Sequence, residues 1–207
     1  MKVLVLEVGM LGTNCYIAVN EADNNRGVVI DPGADAAFIL DTIKKENLKI
    51  EAILITHGHS DHIGALAEVA AALKVPVMTG EKDADMLVNA RKNLSSFIGD
   101  SLTAKNADRL LKDGDKVELA GLEFEVLETP GHTQGGCCFK CGDIVFCGDT
   151  IFAESIGRTD FPGGSYKQLL ESIKTKILTL PDDTKLLPGH GPATDVGWER
   201  RMNPFLQ

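Results

Sequence analysis

Apolar and polar residues along the chain recur with periods that mark out short elements. Residues 2–8 (KVLVLEV) and 14–20 (NCYIAVN) read as strands, and 27–33 (GVVIDPG) as a third that runs into a turn. In ADAAFILDTIKKENL, the residues Phe38, Ile39, Ile43 and Leu48 fall mostly on one face at helical spacing, which predicts a helix. Residues 50–56 (IEAILIT) are a continuous apolar run and predict a buried strand. Residues 61–73 (DHIGALAEVAAAL) predict a helix with Ser60 as its N-cap. VPVMTG predicts a short strand, and residues 81–110 predict one or two helices around an irregular segment, NLSSFIGD. From Lys116 the pattern changes to hairpins: KVELA, LEFEVLETP, GGCCFKC and DIVFCGD. Residues 165–178 (SYKQLLESIKTKIL) predict an amphipathic helix capped by Ser165, and 184–191 (TKLLPGHG) a last strand entering a turn. Strands and covering helices in each half, with no linker between, predict one α+β domain over residues 1–207: two sheets packed face to face with helices outside.

Composition narrows the partners. The 43% hydrophobic and 25% charged residues are those of a soluble globular protein. No apolar run approaches the roughly 20 residues that cross a bilayer, and Glu7 interrupts the apolar N-terminus, so neither a membrane span nor a signal peptide is expected. A net charge of -9 disfavours nucleic acid. The five cysteines are Cys15, Cys137, Cys138, Cys141 and Cys147; an odd count without a secretory signal predicts reduced thiols and a cytoplasmic location. Cys138 and Cys141 have C-x-x-C spacing, but within a hairpin turning at residues 141–143, so they read as small half-buried strand residues.

The candidate chemistry is concentrated in histidine. All five lie at the ends of predicted strands, beside glycine or polar turn residues: His57, His59 and His62 in THGHSDHIG, His132 in ETPGHTQGG, and His190 in LLPGHGPA. Asp61 and Asp149 (in VFCGDT) share that placement. His57 and His59, two apart, project to one side of extended backbone, with Gly58 read as the point where the chain turns. Asp61 and His62 fall in the first turn of the next helix, so one segment offers two pairs of ligands in different directions. A single zinc ion needs three or four protein ligands, whereas seven suit two ions with one bridging carboxylate. The imidazole and carboxylate set accepts zinc, iron or manganese, and zinc is the expected metal. Two such ions about 3.5–4 Å apart bring a shared water toward neutral pKa, ready to attack a carbonyl or phosphoryl centre.

In IDPG (30–33), THGHSDH (56–62), TPGHT (129–133), CGDT (147–150) and PGHG (188–191), the chain resembles the metallo-β-lactamase-fold hydrolases, in their order and over nearly its whole length. The resemblance implies a four-layer αββα sandwich. It also implies one ion on His57, His59 and His132, a second on Asp61, His62 and His190, Asp149 bridging, and Asp31 supporting the ligands from behind. LGTNCY (11–16), SIGRTDFPGG (155–164) and NPFL (203–206) further resemble the small bacterial-type glyoxalase II group, which hydrolyses hydroxyacyl-glutathione thioesters such as S-lactoylglutathione. Larger members add a C-terminal helical domain that holds glutathione, and this chain stops about where it would begin. They also carry a Lys and a Tyr after G-D-T, where Arg158, Thr159 and Asp160 stand here as the expected substrate contacts.

The expected reaction is thioester hydrolysis, with Asp61 orienting the attacking oxygen and a small-molecule thioester as partner. The alternatives are a mononuclear iron persulfide dioxygenase of the same fold, a metal-dependent nuclease, which the acidic charge disfavours, and a metal-binding protein without catalysis.

Overall fold

The computed structural model describes residues 1–207, leaving out the side chain of Ile98. Strands β1 (Lys2–Val8), β2 (Thr13–Asn20), β3 (Arg26–Ile30), β4 (Lys49–Ile55), β5 (Val77–Gly80) and β6 (Arg109–Leu111) form one sheet in sequence order. Its first three strands are antiparallel and β3 through β6 parallel. The second sheet contains β7 (Lys116–Leu119), β8 (Leu122–Glu128), β9 (Cys137–Cys141) and β10 (Ile144–Gly148). After a small hairpin of β11 (Ile151–Phe152) and β12 (Ser155–Ile156), β13 (Lys185–Pro188) and β14 (Thr194–Asp195) complete it in the order β14-β13-β10-β9-β8-β7. Helices α1 (Ala36–Lys45), α2 (Ser60–Ile63) and α3 (Leu66–Leu73) lie in the first half, and α4 (Tyr166–Ser172) and α5 (Val196–Met202) in the second.

The expected four layers follow from the side-chain alternation of strands. On β2, Cys15, Ile17 and Val19 pack with Ile39 and Ile43 of α1 and with Leu66 and Val69 of α3. Tyr16 and Ala18 point the other way, into the core between the sheets, where they join Phe124, Val126, Phe139 and Phe146 of the second sheet. On the outer face of that sheet, Leu127, Cys138, Val145 and Cys147 pack against Leu169 of α4 and Val196 of α5. β4 is apolar on both faces because both are covered: Ile53 and Ile55 meet helices, Ala52 and Leu54 the second sheet. Cys138 and Cys141 sit in different cores, on opposite faces of β9, so they cannot share a metal or form a pair. Among the described residues, no helix is long and apolar enough to cross a membrane.

Several local expectations differ from the structure. The helix expected over 61–73 is two pieces, and Ser60 is its first residue rather than its cap; His59 holds the extended boundary position. Phe38 is 52% exposed, and the buried face of α1 is Ala36, Ile39 and Ile43, with Leu48 packing from beyond the helix end. Residues 81–110 form no α-helix: tight 3-10 turns at Glu81–Val88 and Ser95–Ile98 precede β6, a strand of three residues, too short to show a period. Ser165 does cap α4, accepting from the Gln168 N–H, but the following residues Ile173–Ile177 widen into π-type turns. The β11–β12 hairpin and α5 were not expected. Asn203 of the NPFL tail ties them together, donating to the Ser155 carbonyl at 2.9 Å and the buried Glu199 carboxylate at 2.8 Å.

Candidate metal centre

β8, β10 and β13 run in one direction, because β9 is antiparallel to both of its neighbours and β13 is parallel to β10. Their C-terminal ends therefore open at one edge of the second sheet. The end of β4 meets that edge through the Cys137 N–H donating to the Thr56 carbonyl at 2.9 Å. Residues distant in sequence are thus delivered to one place: 57–62 after β4, 132 after β8, 149 after β10 and 190 after β13. The atoms of His57, His59 and His132 that could bind an ion lie within 4.8 Å of one another, as do those of Asp61, His62 and His190, and those of His57, His62 and Asp149. Asp149 lies between the trios, with Oδ1 3.3 Å from His62 Nε2 and Oδ2 3.6 Å from His132 Nε2 and 3.7 Å from His190 Nε2.

Each imidazole is oriented by what lies behind it. A carbonyl or carboxylate only accepts, so a ring nitrogen bonded to one must carry the proton, leaving the other nitrogen bare. His132 Nδ1 donates to the Arg158 carbonyl at 2.7 Å, His190 Nδ1 to the Leu11 carbonyl at 3.1 Å, and His62 Nδ1 to Asp31 Oδ2 at 2.9 Å. Thr56 Oγ1 donates to Asp31 Oδ2 at 2.6 Å and so can only accept from His57 Nδ1, at 3.2 Å. In the neutral form of all four rings the proton therefore sits on Nδ1, and Nε2 faces the cluster, open to a cation or a second proton. Asp31, buried and at φ 51, thereby fixes two rings, one directly and one through Thr56, whose N–H it also accepts at 2.7 Å.

The donor set suits a cation. Among the described residues, the buried side-chain atoms without a hydrogen-bond partner are His57 Nε2, His62 Nε2 and Asp149 Oδ1, all in this cluster. Orphaned buried acceptors are costly unless a positive charge completes them. His59 Nδ1 stands 2.9 Å from the bare His132 Nε2, a contact that needs a proton or cation between the two nitrogens. Burial, and next the neighbouring His132, depresses His59 to about 3, and burial with four surrounding imidazoles lowers His57. Burial opposes charge on His62 too, but Asp149 and Asp31 outweigh it and raise its pKa. Burial likewise pushes Asp61 up, yet the His190 hydrogen bond (3.1 Å) and the nearby His62 hold it below the usual carboxylate range. The imidazoles of His57 and His59 thus stay neutral while the Asp61 and Asp149 carboxylates stay ionised.

The glycines serve close approach. Gly58 is not at a left-handed turn; a Cβ there would sit 2.4 Å from Met86 Cβ, so it is packing of the 81–88 segment that requires glycine. At Gly189 a Cβ would meet Asp149 Oδ1 at 2.3 Å and His62 Cε1 at 2.6 Å.

Asp83 was not anticipated. It is buried, accepts from the Gly58 N–H at 3.2 Å, Thr133 Oγ1 at 2.7 Å and the Gly135 N–H at 2.7 Å, and so staples the His57–His59 loop to the His132 loop. Nothing in EKDADML distinguishes it from Glu81 and Asp85. Of the expected substrate contacts, Arg158 lines the cavity above the cluster, whereas Thr159 and Asp160 are not among the described residues that do. Asp160 reaches it only through its ion pair with Arg158.

The chain matches the metallo-beta-lactamase superfamily over residues 8–190. It belongs to that superfamily. The probable metallo-hydrolase YqgX of Bacillus subtilis is 40% identical over 100% of this chain and 98% of its own length. The hydroxyacylglutathione hydrolase GloC of Haemophilus influenzae is 35% identical, over 100% and 98%. Among solved structures, the BLEG-1 B3 metallo-beta-lactamase superposes with a TM-score of 0.96 at 38% identity, covering 100% of both chains. TTHA1623 in a di-iron-bound form gives 0.87 at 36%, over 98% and 100%. ETHE1 from Myxococcus xanthus gives 0.81 at 29%, over 99% and 84%. The superfamily's metal-dependent hydrolase chemistry thus agrees with the His/Asp cluster found here.

Proposed function

We propose that this metallo-hydrolase cleaves a thioester of the hydroxyacyl-glutathione type. The observation that carries the reading is the set of inward-facing imidazole nitrogens and carboxylates at the floor of an open cavity of about 670 Å³. In this reading His57, His59 and His132 would hold one divalent ion and Asp61, His62 and His190 the other, with the Asp149 carboxylate between the two sets. Zinc is the first choice, with iron or manganese acceptable to the same donors. The ions would supply Lewis acidity and an acidified water.

The chain's own groups do the rest. Asp61, ionised and open to the cavity, accepts a hydrogen bond from the attacking water and so aims the water's lone pair at the carbonyl carbon. A C–O bond forms, the C–S bond breaks, and the thiolate takes up the water's proton. With a thiol pKa of about 8.5, the leaving group needs no strong general acid from the protein. Arg158 lines the cavity with its guanidinium paired to Asp160. The likeness to GloC supports the glutathione-type substrate. The five free, buried cysteines support a cytoplasmic location.

The test is purification without chelator, metal counting, and thiol release from S-lactoylglutathione and simpler thioesters. His59→Ala, folded, should lose activity; full activity in that variant refutes the metal-hydrolase reading. A second reading, persulfide oxidation at one iron, is favoured by His57, His62 and Asp149 standing together as two imidazoles and a carboxylate. One iron per chain and oxygen uptake with a persulfide, without thioester turnover, would establish it. Because of the likeness to BLEG-1, a β-lactam belongs in the same panel.

A further inference from the structure

We propose that the outer half of the cavity is a subsite for an uncharged, apolar group, so that a thioester bearing a phenyl or branched alkyl group is preferred over S-lactoylglutathione. This rests on the thioester-hydrolase reading and concerns the part of the substrate remote from the reacting carbonyl.

Away from the His/Asp floor, the wall is Leu11, Leu94, Phe97, Phe152, Phe161 and Pro162. Leu11 is 68% exposed and Phe97 70% exposed, so this wall faces water with large apolar side chains that the hydrophobic effect would otherwise bury. Leu94 stands at φ 70, a left-handed conformation that a leucine adopts only when its surroundings impose it.

The polar residues of the wall have little to offer a charged carrier. Asn93 is buried and fully engaged: its amide donates to the Met86 and Leu102 carbonyls and its oxygen accepts from the Ser95 N–H. Arg158 is bound in a fork by Asp160, at 3.0 and 2.7 Å, with its guanidinium carbon 4.2 Å from the centre of the Phe161 ring. Its charge is matched before any ligand arrives, and its flat face extends the aromatic wall. Only Ser60 remains, as a neutral hydroxyl. Glutathione carries two carboxylates and an ammonium, and this wall offers one cation, already paired. A cavity of about 670 Å³ lined by aromatic and aliphatic groups around a few convergent polar ones is the usual setting for an apolar ligand.

The experiment uses the metal-loaded full chain and compares kcat/KM for four substrates: S-lactoylglutathione, S-mandeloylglutathione, the S-benzyl thioester of lactate and its S-methyl counterpart. The two phenyl-bearing arms distinguish an acyl-side from a thiol-side occupant. At least one should exceed S-lactoylglutathione by about 10-fold or more, chiefly through KM, as expected for apolar contact in a partly open pocket. Phe97→Ala should erase most of that advantage and Phe97→Leu keep much of it. In parallel, the non-cleavable benzyl 2-hydroxypropyl sulfide is titrated into the protein, and amide shifts are followed at Leu94, Phe97 and Phe161. Shifts at the wall without turnover of any thioester would remove the hydrolase reading and leave the apolar subsite standing. Turnover that favours S-lactoylglutathione, with no shifts at the wall, would overturn the subsite and leave the hydrolase.

Discussion

Asp31→Asn is the most revealing single-atom change. The carboxylate accepts three hydrogen bonds, from His62 Nδ1, Thr56 Oγ1 and the Thr56 N–H. Asparagine retains one oxygen, enough for the Thr56 N–H, and turns an NH₂ toward the other two donors. To regain a bond, His62 must move its proton from Nδ1 to Nε2, the atom that faces Asp61 and Asp149. The Thr56 hydroxyl, no longer donating to residue 31, also loosens its hold on His57. Two charge-assisted bonds worth about 1.5–3 kcal/mol each are lost and partly replaced by neutral ones, leaving a deficit of about 1.5–3 kcal/mol. At about 1.4 kcal/mol per decade, ion affinity should fall about 10- to 100-fold. The assay is zinc competition against a chromophoric chelator, with metal counting after dialysis and urea unfolding of metal-free protein as the control for folding. A variant that keeps its fold and binds two ions with wild-type affinity would refute the proposed role of Asp31.

Asp83→Ala strands three donors around a buried site, and urea melts should show a loss of about 3–5 kcal/mol, with metal affinity falling as the two loops part. Gly189→Ala places a methyl against Asp149 and His62; it should cost about 1–3 kcal/mol of stability, and a two-ion content surviving dialysis would contradict the geometry. Chelation should lower the melting temperature by about 10–20 °C when both ions were present at about 100 times their dissociation constants, about 2.7 kcal/mol per site, as scanning calorimetry would detect. All five thiols are buried, and burial pushes Cys15, Cys137 and Cys147 up, away from thiolate at pH 8. A disulfide reagent should therefore label the native protein slowly and titrate five thiols only in denaturant, and rapid native labelling would count against buried core roles.

The hydrophobic pattern located the strands of both sheets except the short edge strands β6 and β14, because period-two alternation and continuous apolar runs are properties of neighbouring residues. It also placed the candidate ligands, since each follows an apolar strand directly and histidine beside glycine has few other uses at such positions. Those seven residues are legible because their chemistry is carried by residue type. Tertiary structure decided what no spacing records. That β8, β10 and β13 run in one direction, and so bring His132, Asp149 and His190 to the end of β4, depends on strand pairing between distant segments. The tautomers of four histidines follow from carbonyl, carboxylate and hydroxyl groups placed behind them, three of them far away in sequence. Asp83 gains its role only where two loops meet, Leu94 and Phe97 become a cavity wall only when residues 89–104 fold over the site, and β6 exists because β5 offers it an edge. A sequence states which groups are present and how their immediate neighbours bias them, whereas contacts between distant segments depend on the packing of the whole chain.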